Sequence, residues 1–262
     1  FSLPTWSNLI SFPGGFDDPR IQAEKTRLTE DEFNEKYGGI PSPPSDRIFK
    51  EFRVDIHCGT YPYEEGKDVF LWIDPGYRPG IYAVEVAQIG KDELGDDVVY
   101  IRDEIFIQGY TTEDIIDVCE KKAWWKDVKG GAVDIAARQH QAMPAVADVW
   151  AQKAKLPLAT MKIEIEEGIE RLKTFLKVNP ITSKPNFFID LKAQGLISEF
   201  GGCLNPILTP PQQAIWKRDK LTGKPEERHE HAIKAVFYGL VNKFGYTRRT
   251  FVVRQRSYLQ WK

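Results

Sequence analysis

Three acidic residues carry most of the chemistry that this sequence offers. Asp74 ends the apolar run Val69-Phe70-Leu71-Trp72-Ile73 and is followed at once by Pro75-Gly76. Asp134 closes the run GGAVD, and Glu230 stands in EERHEHAIKAVFYGLV. An apolar strand gains nothing from an acid at its tip, because burying a carboxylate without a partner is costly. Each acid has an ordinary explanation. Asp before Pro-Gly is turn chemistry, Asp134 can cap a helix, and Glu230 suits a first turn whose dipole favours an anion. One explanation covers all three. Carboxylates gathered at one place repel unless cations sit between them, and hard cations such as Mg²⁺ or Mn²⁺ prefer oxygen ligands. Two such ions about 3.5–4 Å apart can activate a water and stabilise the leaving oxygen of a phosphodiester.

Other residues bear on the same chemistry. Glu104, in RDEIFIQG, either joins the site from a third strand or is a surface charge on an edge strand. His229 and His231 flank Glu230, but without a nearby Cys or third His they fall short of a zinc signature. A histidine beside the third acid is instead suited to ligating a metal or assisting proton transfer, and His229 is the candidate. His57-Cys58 reads as core or turn. Lys217, Arg218, Lys220 and Lys224 crowd the segment before Glu230, while Arg78 and Arg138 follow Asp74 and Asp134 as candidate phosphate clamps. Lys234 lies one helical turn beyond Glu230, where its ammonium either neutralises the site or meets phosphate. From His231 to Lys262 there is no acid and there are seven bases. Each phosphate so neutralised adds salt-sensitive affinity for nucleic acid. The alternating Arg of RRTFVVRQRSYLQW also suits the solvent face of an edge strand. No GxxxxGK[ST] occurs, so the sequence carries no P-loop motif for ATP.

The elements that must position these residues follow from pattern. Residues 1–65 are rich in Pro, Gly and turn signals, with one short helix expected at LTEDEFNEKYG, and they read as a strap laid on a neighbouring domain. In residues 66–262, DVFLWIDPG, GIYAVEVAQIG and DDVVYIRDEIFIQG are three strand-like runs joined by short turns, an antiparallel meander. TTEDIIDVCEKKAWW is a helix starting at Thr111 or Thr112, GGAVDIAA a strand, and RQHQAMPAVADVWAQKA a helix bent or begun at Pro144. LATMKI is a strand, EIEEGIERLKTFLKV a helix, and NFFIDL a strand followed by a short helix. About 212–228 forms a basic hairpin or loop. HAIKAVFYGLVNKFG is a helix with an apolar stripe, closed by Gly245. A meander followed by alternating helix and strand is an α/β arrangement, a mixed sheet flanked by helices of the ribonuclease H-like kind. In that order the fourth strand runs parallel beside the first. Asp74 and Asp134 then share one sheet edge, where ligands of open α/β sheets gather.

Composition narrows the class without naming a partner. The chain has 262 residues, 42% hydrophobic and 28% charged, with a net charge of -2, which suits a soluble globular protein of one large domain or two small ones. Local basic patches bind polyanions even at near-neutral net charge. Three separated cysteines without a CxxC pair fit a reducing compartment. No apolar run approaches the roughly 18 residues of a membrane span, and the N-terminus lacks a signal-peptide pattern. These features suggest a cytoplasmic protein, or a piece of a longer one.

Taken together, FSLPTWSN, IPSPPSDRIFKEF, LWIDPGYRPGIYAVEVAQIG, DEIFIQGYTTEDII and HEHAIKAVFYGLV resemble the nuclease domain of the large terminase subunit of tailed bacteriophages. The resemblance covers most of the chain in the same order. It implies a ribonuclease H-like endonuclease that cuts concatemeric double-stranded viral DNA during genome packaging in the host cytoplasm. It also implies two Mg²⁺ or Mn²⁺ ions, with Asp74 bridging them and Asp134 and Glu230 completing one shell each. The implied partners are the terminase ATPase domain, the small terminase subunit and the portal, with the N-terminal strap leading from the motor. The chain departs from the family pattern twice: Glu230 stands where Asp is usual, and Lys234 replaces an Asp common inside the following helix. Two other readings remain: a ribonuclease H-like nuclease of resolvase or integrase type, and a non-catalytic packaging module that grips DNA.

Overall fold

A computed structural model describes residues 3–28, 33, 36–39, 47–76, 80–134, 145–202 and 214–247. The chain divides into two compact units, Phe1–Lys50 with Lys217–Pro225, and Glu51–Trp216 with Glu226–Lys262.

In the smaller unit, helix α1 (Pro19–Arg27) starts where the sequence pattern suggested only turns. Pro19 fits there because the first helical N–H needs no partner, and the Asp18 side chain caps the helix by accepting from the Arg20 N–H at 3.1 Å. Trp6, Phe16, Phe33 and Tyr37 form a cluster of edge-on and stacked rings. The helix expected at LTEDEFNEKYG lies largely outside the described residues. Within the basic segment Arg218 bridges Pro225, and Asp219 accepts from the Leu221 and Thr222 N–H groups in the turn between them. Lys217 also bridges Arg47, so this turn belongs to the smaller unit.

The larger unit begins at Glu51, whereas the sequence reading carried the strap to residue 65. Residues 51–65 are held by the sheet. One helical turn, α2 (Val54–His57), buries His57 with its Nε2 2.9 Å from the Leu176 carbonyl oxygen, which makes His57 a core residue. The strands are β1 (Cys58–Gly59), β2 (Val69–Asp74), β3 (Ile81–Lys91), β4 (Asp97–Gln108), β5 (Val128–Asp134), β6 (Ala159–Met161) and β7 (Phe187–Asp190). They form one seven-stranded sheet in the order β1-β7-β4-β3-β2-β5-β6. β2, β3 and β4 are the antiparallel meander, β5 runs parallel to β2, and β6 parallel to β5. This is the expected ribonuclease H-like mixed sheet, extended beyond β4 by the parallel strands β7 and β1.

Alternation along β2 sends its residues to two different layers. Val69, Leu71 and Ile73 enter a core with Val84, Val86, Ile105 and Trp150. Ile115, Ile116 and Cys119 of α3 (Thr112–Glu120) close it, and α3 opens with a capping box between Thr111 and Asp114. Trp72 and Asp74 face the other side. There α7 (His231–Phe244) packs on β2, β3 and β5, backed by α5 (Ile165–Leu176); α4 (Val146–Lys153) and α6 (Gln194–Glu199) complete the helices described. α7 passes over Trp72 at Gly239, where a Cβ would stand 1.8 Å from the indole. Gly239 therefore sets how closely the helix approaches the strand. No helix among the described residues is long and apolar enough to cross a membrane.

Candidate active site

Asp74 and Asp134 are the last residues of β2 and β5, each one position beyond the paired residues Ile73 and Val133. Adjacent strands lie about 4.8 Å apart, so the two carboxylates share one sheet edge. Glu230 occupies the residue before α7 and makes no side-chain cap. α7 then offers three polar side chains on one stripe, His231, Lys234 and Tyr238, spaced i, i+3 and i+7. Each meets a different acid. His231 Nδ1 lies 2.8 Å from Asp74 Oδ2, Lys234 Nζ donates to Glu230 Oε1 at 2.5 Å, and the Tyr238 hydroxyl donates to Asp134 Oδ2 at 3.2 Å. Helical periodicity thus turns one sequence pattern into a row of partners for the three acids.

Burial differs along this row. The Asp74 side chain is 14% exposed and Asp134 is of intermediate burial, while the Glu230 side chain is 7% exposed. Burial pushes the Glu230 carboxyl above its ordinary range, and Lys234 partly opposes that shift. For Lys234, burial disfavours the ammonium, but Glu230, Asp74 and Asp134 together raise its pKa. The Tyr238 phenol is pushed far up by burial and then by Asp74 and Asp134, so it stays a neutral donor. Glu230 Oε2 is buried without a hydrogen-bond partner among the described residues.

Among the described residues, no three His, Cys, Asp or Glu side chains close around one point as metal ligands. The acids are engaged by α7 instead. Their chemistry still suits a hard divalent cation, because carboxylate oxygens are its preferred ligands and one of them, Glu230 Oε2, has no partner among the described residues.

The remaining candidates land elsewhere. Glu104 is neither a surface charge nor on an edge strand: β4 lies inside the sheet, and the two Glu104 oxygens accept the Gly195 and Leu196 N–H groups at 2.8 and 2.7 Å. His229 adopts a left-handed backbone, φ 56°, and it is His231 that meets Asp74. Lys217, Arg218, Lys220 and Lys224 belong to the smaller unit. Arg78, Arg138 and the basic tail from Arg248 lie outside the described residues.

Sequence reasoning missed the parts played by His231 and Tyr238, although their i, i+3, i+7 spacing with Lys234 was a usable signal. It also missed a layer of buried acid. Glu85 is opposite Glu104 in the β3–β4 register and fully buried, and neither of its oxygens has a donor among the described residues. Glu199, at the end of α6, accepts the Ile233 N–H at 3.0 Å and so ties α6 to the first turn of α7. Burial foremost, then neighbouring acids, raises the pKa of Glu85 and Glu199 well above the carboxylate range.

No protein-family model and no curated protein matches this sequence. Solved structures do match its fold. The large terminase of a thermophilic bacteriophage superposes with a TM-score of 0.56 at 14% identity, over 86% of this chain and 52% of the terminase. The same terminase in complex with ATP-gamma-S gives 0.56 at 16% identity, over 85% and 52%. A looser match, TM-score 0.47 at 14% identity over 72% of this chain and 96% of the other, is the nuclease domain of the g2p large terminase of bacteriophage SPP1 with bound Mn. The chain thus spans about half the length of the thermophilic-phage terminase. The likeness is one of fold, and in fold the chain meets the resemblance read from its sequence.

Proposed function

We propose that this chain is a metal-dependent endonuclease that hydrolyses double-stranded DNA, and that its substrate is concatemeric viral DNA during genome packaging. One observation carries the reading. Acids from two adjacent strand ends and from the lead-in to α7 all meet one stripe of that helix, on a fold shared with a phage large terminase. Asp74 and Asp134 are the residues that would hold Mg²⁺ or Mn²⁺, with Glu230 as the third acid of the site. When bound, such a cation supplies Lewis acidity at the scissile phosphate and makes water a nucleophile near neutral pH. The protein's own part is positioning. His231 orients the Asp74 carboxylate, Tyr238 orients Asp134, and Lys234 keeps Glu230 from standing as an uncompensated buried charge. Lys217, Lys220 and Lys224, with Arg218, Arg78 and Arg138, are the proposed phosphate contacts. The larger unit, Glu51–Trp216 with Glu226–Lys262, is the proposed nuclease portion and Phe1–Lys50 the strap toward a terminase motor, with the small subunit and portal as further partners.

The test is cleavage of supercoiled plasmid with Mg²⁺ or Mn²⁺. The protein should nick and then linearise the plasmid, and Asp74→Asn should do neither. A wild-type protein that binds DNA but cuts under no divalent cation would instead be a gripping module. Preferential cutting of four-way junctions over linear duplex would identify a resolvase-type enzyme.

A further inference from the structure

The resemblance read from the sequence implies two divalent ions. We propose that Lys234 is a resident cation that takes the place of one of them, so that the site binds a single divalent ion; this rests on the metal-dependent reading above. The ammonium is built in. Lys234 extends from the first turn of α7, its backbone N–H bonded to the Glu230 carbonyl oxygen at 2.7 Å and its Nζ 2.5 Å from Glu230 Oε1. Its side chain is only 23% exposed, and the neighbouring N–H in that turn, from Ile233, is held by the buried Glu199. Asp74 and Asp134 lie within its electrostatic reach.

Charge and geometry agree on the count. Among the described residues, these three carboxylates set against one ammonium leave two negative charges, the charge of one divalent ion. Glu230 Oε2 has no partner among the described residues, but a second ion there would sit beside the ammonium held by Oε1, like charge against like charge at short range. The other two acids carry no such obstacle. Asp74 and Asp134 are of intermediate burial at adjacent strand ends, and their partners on α7 are an imidazole and a neutral phenol. The geometry therefore points to the Asp74–Asp134 edge as the seat of the one ion, with Glu230 serving to hold Lys234.

Isothermal titration with Mn²⁺ and low-temperature electron paramagnetic resonance on the full chain test this directly. The wild type should take up one Asp74-dependent ion with the signal of isolated Mn²⁺, and that ion should be lost in Asp74→Asn. Lys234→Asp should bind a second ion and give the signal of a coupled pair. Lys234→Met should bind the first ion roughly tenfold tighter, because a like charge has gone. Two coupled ions in the wild type would overturn the proposal and leave the metal-dependent reading intact. No Asp74-dependent ion would overturn both. The wild-type count decides the matter even if the Lys234 variants do not fold.

Discussion

His231 Nδ1 and Asp74 Oδ2 stand 2.8 Å apart, joining the first residue of α7 to the last residue of β2. The two residues are 157 positions apart in the chain, so this contact exists only once α7 has docked on the sheet. Removing the imidazole leaves the carboxylate in place but free to turn. His231→Ala should weaken Mn²⁺ affinity or cleavage about 10–100-fold, the usual cost of losing a group that orients a ligand. Asp74→Asn, which preserves shape and removes charge, should abolish cleavage. Titration and plasmid assays on both variants check this ordering, and equal activity in His231→Ala and wild type would refute it.

The Lys234–Glu230 pair should register in stability as well as in metal binding. Lys234→Ala leaves a carboxylate of 7% exposure without its partner. A cost of roughly 1–3 kcal/mol follows, below that of a fully buried pair because Lys234 is partly open to water. Glu230→Gln keeps the shape and removes the buried charge, so it should cost less. Urea unfolding of the two variants measures the difference, and the reverse order would show that the pair is not what stabilises this turn.

Gly239 is a steric prediction. A methyl group there would overlap the Trp72 ring, and that buried indole cannot yield without moving the helix. Gly239→Ala should destabilise by about 1–3 kcal/mol or more through overpacking, despite the better helix propensity of alanine. Because α7 carries all three partners of the acids, cleavage should fall with it. A Gly239→Ala protein of unchanged melting temperature would mean that α7 does not approach β2 this closely.

Glu85 and Glu199 predict a stability that declines with rising pH. Both folded-state pKa values are raised by burial. The unfolded chain releases these protons near pH 4.3 while the folded protein retains them. Their contribution is therefore complete below about pH 4.3 and is lost as pH rises toward the folded values, at up to about 1.4 kcal/mol per pH unit for each proton. Protonated Glu85 can donate to Glu104, and a glutamine amide can do the same. Glu85→Gln should therefore flatten the slope of unfolding free energy between about pH 5 and 8 by up to one proton. A slope identical to wild type would mean that Glu85 is ionised in the fold.

The basic hairpin gives a prediction about salt. Arg218 donates to the Gly223 carbonyl oxygen at 3.1 Å and helps shape the turn, so the test leaves it in place and replaces lysines. Lys220→Ala with Lys224→Ala should weaken duplex binding and lower the slope of log affinity against log salt by about one for each phosphate no longer neutralised. An unchanged slope in a fluorescence-anisotropy titration would show that this hairpin does not touch phosphate.

Local patterns in the sequence carried real information. The alternation over Val69–Asp74 and the apolar stripe of α7 each specify an element, because side-chain periodicity reports which face is buried. Thr111 and Asp114 announce their capping box within four residues. The order of the runs determined the meander and the parallel β5, and with them the shared edge of Asp74 and Asp134. What local pattern does not report is the partner of a polar group. Pro19 marks a turn or a helix start according to what surrounds it, and only packing decides that Asp18 caps α1. Glu104 looked like a surface acid or a ligand, yet tertiary structure spends both its oxygens on the start of α6. His231, Lys234 and Tyr238 are three polar residues on a helix until that helix lies across β2. Their roles rest on contacts spanning 157, 4 and 104 positions, and the two long ones depend on Gly239 letting the helix settle against Trp72.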